Sequence, residues 1–155
     1  MTQFPDCYTE APQDGAEVKS LRPDLPRPAV RPVVGARRNA RARGRHVFVC
    51  GNGGSAATAS HFVNDLNKGT NVAGKRRFRA VGLVDNTPLL MAWSNDTAYE
   101  HALAEQVVNF VEPGDVLVAI SGSGNSPNVP RAVEVAHAHG AILSLIHIRR
   151  CRRPD

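Results

Sequence analysis

From His46 onward, short and wholly apolar runs alternate with longer stretches in which apolar residues recur every three or four positions. "HVFVC" (46–50) has the length and composition of a strand buried on both faces. The glycine-rich "GNGGS" (51–55) follows, and then "SAATASHFVNDLNK" (55–68), an alanine-rich helical stretch. "FRAVGLV" (78–84) predicts a second strand, and "DNTPLLMAW" (85–93) a turn into a short helix. In "TAYEHALAEQVVNFV" (97–111), Tyr99, Leu103, Val107 and Phe110 fall close to one helical face. "EPGD" is a turn, "VLVAI" (116–120) a third strand and "SGSGNS" (121–126) a second Gly/Ser loop. "SPNVPRAVEVAHAHG" predicts a helix ending at Gly140, and "AIL" (141–143) opens a fourth strand. Strand, loop and helix in repetition, with apolar strands, predict an α/β fold: a parallel sheet covered by helices on both faces.

The flanks differ in character. Residues 1–45 contain six prolines and the arginine-rich "GARRNARARGR", without a sustained apolar period. Residues 1–35 are expected to be irregular, and 36–45 at most a short helix. The packed domain is expected over 46–143. After Leu143 the chain reads "SLIHIRRCRRPD", with four arginines in five residues. "LSLIHI" followed by "RCRR" resembles translated library-adapter DNA, so 144–155 is expected to be a non-native tail.

Composition sets limits on the partners. A hydrophobic fraction of 42% and a charged fraction of 21% are globular values. The net charge of +5 is confined to the two flanks: 46–148 holds six basic and eight acidic residues. A nucleic-acid partner needs a basic folded face, so none is expected. No apolar run approaches the roughly eighteen residues of a membrane span, and no secretory signal opens the chain. Cys7, Cys50 and Cys151 are odd in number and lack metal-like spacing. The expectation is a cytoplasmic protein without a membrane partner.

The two loops are the candidate chemistry. A glycine-rich turn from a parallel strand into a helix exposes backbone N–H groups beside the helix's positive dipole end, a place for an anion such as phosphate. "GNGGS" has neither the dinucleotide spacing nor a Walker lysine, and such turns are also plain connections. In the second loop, Ser121, Ser123 and Ser126 can ring a phosphate with hydroxyl donors. Ser126 also suits a helix N-cap, with Pro127 at the first helical position.

"CGNGGSAATASHF" followed by "VAISGSGNSPNV" resembles a sugar isomerase (SIS) domain, and within that family the phosphoheptose isomerase group, over about 46–143. The resemblance implies a three-layer doubly wound parallel sheet of five strands, incomplete here at the C-terminus. It implies a homotetramer or dimer with a phosphosugar at the strand ends. Asn52, Gly53 and Ser55 match the sugar-contacting loop, and Ser121, Ser123 and Ser126 the phosphate-holding serines. Asp85 falls where the family has an aspartate near the substrate. His61 and Asp65 match a helical pair that serves catalysis and in some members binds zinc, with Asp65 standing where the family has glutamate. The implied reaction is aldose–ketose isomerisation of sedoheptulose 7-phosphate, by proton removal next to the carbonyl. The family's late catalytic histidine and glutamine have no match here. His147 lies in the expected tail, and His137 and His139 follow the phosphate loop on a helix. The alternative is a non-catalytic SIS module that senses phosphosugars or binds a protein partner.

Overall fold

A computed structural model describes residues 27–147 of the 155-residue chain. The expected irregular start (1–26), the last residues of the tail (148–155), Cys7 and Cys151 lie outside them. Four parallel strands, β1 (His46–Gly51), β2 (Arg79–Gly82), β3 (Val116–Ser121) and β4 (Ile142–His147), form one sheet in the order β2-β1-β3-β4. The resemblance implies five strands; four stand among the described residues.

Each central strand divides its side chains between two cores, as the two-residue period requires. Val47, Val49, Val116, Val118 and Ile120 pack on one face of the sheet with Ala59, Val63 and Leu66. Phe48, Cys50, Leu117 and Ala119 pack on the other with Leu103, Val107, Val129, Ala132 and Ala136. The first face is covered by α1 (Arg27–Arg43) and α2 (Gly54–Asn64), the second by α4 (Ala104–Phe110) and α5 (Asn128–Ala138). The α3 helix (Thr87–Asp96) begins under an Asn86 cap whose Oδ1 accepts from Leu89 N at 3.2 Å. The three-layer, doubly wound arrangement read from the sequence is the one observed. No helix among the described residues is long and apolar enough to cross a membrane.

Three stretches depart from expectation. The α1 helix runs through 27–35, where an irregular chain was predicted, and the packed unit therefore begins before His46. Two of its arginines, which read as part of an irregular flank, pack on aromatic rings. Arg37 stacks over the Phe62 ring and Arg41 over Phe78, each 5.1 Å from the centroid, and Ala40 is buried. Gly44 ends the helix at φ +70°, while Arg45 N reaches Ala40 O (2.8 Å) and Gly44 N reaches Arg41 O (3.2 Å), a Schellman closure that delivers the chain into β1.

The predicted 97–111 helix begins only at Ala104. Residues 98–103 take successive turns, with His101 N bonded to Ala98 O (3.0 Å) and Ala102 N to Tyr99 O (3.3 Å). Leu103 and Val107 are buried as expected, while Tyr99 and Phe110 stay about half exposed. At the other end of the chain, β4 continues past the expected boundary at Leu143 to His147, in register with Ser121, and buries Ser144.

Two side chains tie the frame together. Asn67 sits in a π-helical turn (Asp65–Gly69) that prolongs α2, and pairs with the outer edge of β2. Its Nδ2 donates to Ala80 O (2.8 Å) and its Oδ1 accepts from Ala80 N (3.0 Å), which satisfies an otherwise open edge. Asp115, fully buried, accepts from His46 N (2.8 Å) and Glu112 N (3.0 Å), joining the start of β3 to the start of β1.

Asp115→Ala leaves two backbone donors unpaired and is expected to cost about 2–5 kcal/mol, read as a lower urea midpoint at unchanged slope. Burial pushes the Cys50 thiol up to about 12, so it stays protonated at pH 8. Peptide mapping after iodoacetamide treatment should find Cys50 unmodified in the folded protein and alkylated in guanidinium.

Candidate functional site

The strands β1 and β3 are neighbours, yet the helices that follow them, α2 and α5, lie on opposite faces of the sheet. The loops after these strands therefore part at their C-terminal ends and leave a crevice, the usual ligand position in an open α/β sheet. Gly51 permits the tight geometry: a Cβ there would lie 2.8 Å from Ile120 O and 2.9 Å from Ser55. Gly53, at φ +52°, turns the chain into α2, whose first residues Gly54 and Ser55 face the crevice.

In the second loop, Ser121 Oγ accepts from Gly124 N (2.9 Å) and Ser123 Oγ from Asn125 N (3.3 Å), with Gly124 at φ +74°. These bonds use oxygen lone pairs and leave the hydroxyl protons able to donate to a ligand. The capping role read for Ser126 is not what the structure shows. The α5 helix begins at Asn128, after Pro127 at helical angles, without a side-chain cap, and Ser126 lines the crevice.

The crevice has a volume of about 550 Å³, with Asn52, Ser55, Thr58, Ser121, Ser123 and Ser126 on its walls. The structure thus brings together five of the seven predicted substrate contacts; Gly53 is the turn residue that precedes α2 and is not part of the lining. Asp85 stands apart from this wall and accepts a hydrogen bond from Ser60 Oγ. Gly82 makes room for that carboxylate, since a Cβ would meet Asp85 Oδ2. His61 and Asp65 face each other at i,i+4, Nε2 to Oδ2 at 3.5 Å, with side chains 76% and 57% exposed and outside the crevice lining. They supply two metal donors, short of the three or four of a zinc site. No cluster of three or more His, Cys, Asp or Glu among the described residues could hold a metal. The zinc ligand set implied by the resemblance is therefore not met by these residues alone. His137 and His139 lie at the far end of α5, away from the crevice.

Two residues that the sequence reading passed over complete the site. Asn128, fully buried at the start of α5, donates from Nδ2 to Asn52 Oδ1, and Asn52 Nδ2 donates to Asn128 Oδ1, both at 2.8 Å. Tyr99 Oη donates to the same Asn52 Oδ1 at 2.8 Å. The signal for Asn128 was the asparagine one place after Pro127, a polar residue entering an apolar helix face. Tyr99 carried no such signal, because its orientation depends on the turns at 98–103.

The sequence profile of the SIS domain family matches residues 30–146. A phosphoheptose isomerase of Thiobacillus denitrificans is 46% identical over 99 residues, which cover 63% of this chain and 49% of that protein. A phosphoheptose isomerase of Rhodospirillum rubrum is 40% identical over 113 residues, 73% of this chain and 60% of that protein. The chain thus spans half to three-fifths of the length of these relatives. The solved structure of a phosphoheptose isomerase from Neisseria gonorrhoeae superposes with a TM-score of 0.71 at 32% identity, covering 89% of this chain and 69% of that one.

Gly51→Ala places a methyl group against Ile120 O and the first turn of α2. It is expected to lower stability by about 1–3 kcal/mol in urea unfolding.

Proposed function

Because the chain belongs to the SIS domain family, we propose that it binds a phosphorylated sugar and that the protein isomerises sedoheptulose 7-phosphate. The observation that carries the reading is the single crevice into which both Gly/Ser loops open, at the switch point of the sheet. Its lining holds no charged side chain. A phosphate dianion would be held by neutral donors, the hydroxyls of Ser55, Ser121, Ser123 and Ser126, together with the N-terminal ends of α2 and α5. The phosphate would anchor one end of the sugar and direct its carbonyl end outward.

Isomerisation needs a base for the proton next to the carbonyl and an acid for the enediol oxygens. In this reading His61 is the base and Asp65 orients it. Thr58, one turn before His61 on α2, lines the crevice, so a sugar anchored there reaches His61 by extending along the helix. Zinc would join this pair only with further ligands, and no step here depends on it. Subunit association as a dimer or tetramer goes with the reading; Val108 and Phe110 on α4, each about half exposed, suit a subunit contact. A cytoplasmic site of action goes with it as well.

A second reading, a phosphosugar-sensing module without turnover, is favoured by the exposure of His61 and Asp65 and by an aspartate that reaches one methylene less than a glutamate. Calorimetry and an isomerase assay on the same preparation separate the two readings. Binding with turnover supports the enzyme, and binding without turnover supports the module. Ser121→Ala and Ser123→Ala are each expected to weaken sedoheptulose 7-phosphate binding by about 1–3 kcal/mol. Unchanged affinity in the double variant would count against the crevice as the phosphate site.

A further inference from the structure

We infer that Asn52 and Asn128 form a clasp that sets the separation of the two ligand loops, with the carbonyl of Asn52 withdrawn from substrate recognition; this rests on the phosphosugar reading of the crevice. The two residues are 76 positions apart and belong to opposite walls. Asn52 leads into α2 and Asn128 opens α5, so their paired amides form a direct side-chain bridge between the loop after β1 and the first residue of α5.

Hydrogen-bond capacity decides the roles. An amide oxygen has two lone pairs and an amide nitrogen two protons. Asn52 Oδ1 accepts from Asn128 Nδ2 and from Tyr99 Oη, which fills it. A sugar hydroxyl therefore finds no acceptor on Asn52; only the second proton of Nδ2 remains for a ligand oxygen. Asn128 is fully buried and does not line the crevice. Its side chain acts through Asn52, as a positioning residue. Tyr99 closes the triangle from the β2–β3 connection and holds the carbonyl of Asn52 in the orientation the pair requires. Opposed amides are self-complementary, and any slip of one loop against the other breaks two bonds at once. Phosphate ringed by hydroxyls from both loops requires that spacing to be fixed before the ligand arrives.

Two substitutions test the clasp in the full chain. Asn128→Leu keeps approximate volume, carries no charge and removes both bonds. Asn128→Asp keeps the shape but, when ionised, faces a carboxylate oxygen toward Asn52 Oδ1. Burial raises that carboxyl above its ordinary value, so the protonated form, which restores the donor, gains ground as pH falls. The affinities of both variants for sedoheptulose 7-phosphate and inorganic phosphate are measured as ratios to the unaltered protein between pH 5 and 8. This ratio cancels the titration of the phosphate itself. The expected result is a loss of at least tenfold for Asn128→Leu at every pH. For Asn128→Asp a similar or larger loss is expected at pH 8, shrinking toward pH 5. Asn128→Leu binding like the unaltered protein overturns the clasp, because charge alone then explains the aspartate variant. So does an Asn128→Asp ratio that stays flat with pH.

Melting without ligand gives an independent readout. A raised folded-state carboxyl is a penalty that is absent below the unfolded value near pH 4 and grows as pH rises through the folded value. The Asn128→Asp midpoint, relative to the unaltered protein, should therefore fall between pH 5 and 8. If the unaltered protein binds neither phosphate compound, the phosphosugar reading fails and the clasp is judged by this shift, whose absence overturns it.

Discussion

Parallel pairing of β1 with β3, from Val47 against Val116 to Gly51 against Ile120, is the constraint from which the rest of the structure follows. Two adjacent parallel strands whose next helices go to opposite faces must part their loops at the C-terminal edge. The crevice is thus a consequence of winding direction, before any side chain is considered. Asp115 fixes one end of this pairing by holding the amides of His46 and Glu112, and the Asn52–Asn128 pair fixes the other. Between them, both cores are filled by the alternating side chains of the same two strands.

The electrostatic character of the chain separates along the strand direction. Arginines gather on α1 and in 75–79, where Arg41 donates to the carbonyls of Arg76 and Thr70 and stacks on Phe78. This lies toward the N-terminal ends of the strands. The crevice at the C-terminal ends is lined by neutral groups. An anion bound there meets oriented dipoles whose geometry the backbone has already fixed, and no long cationic side chain has to be ordered around it. The net positive charge of the chain therefore says little about its ligand.

Sheet, layers and loops were legible in the sequence because parallel strands buried on both faces read as continuous apolar runs, and glycine-rich turns punctuate them. Helix α1 was legible only as a short helix within 36–45, and its first part over 27–35 was missed, because its stability comes from tertiary packing: the guanidinium groups of Arg37 and Arg41 lie on Phe62 and Phe78, which a polar and proline-bearing stretch does not announce. The helix over 97–103 was overestimated because Tyr99 and Leu103 satisfy a helical period that a run of turns also accommodates. At the site, the serines were legible as hydroxyl donors at a helix start. Asn128 was not, since its value lies in a partner 76 residues away. The exposure of His61 and Asp65 was equally out of reach of local pattern, because i,i+4 spacing fixes which residues share a helix face and says nothing about what that face meets.

The long connection between β1 and β3 also shapes how the domain comes into being. One wall of the crevice belongs to residues near 51–58 and the other to residues near 121–126, so no partial fold that lacks the central pairing contains more than half of the site. Closing that span carries an entropic cost that the β1–β3 pairing has to offset. A ligand of the crevice engages only molecules in which the span is already closed, and by mass action it withdraws population from those that have opened. Occupancy would then be felt as resistance of the whole domain to opening and proteolysis, including segments far from the bound molecule.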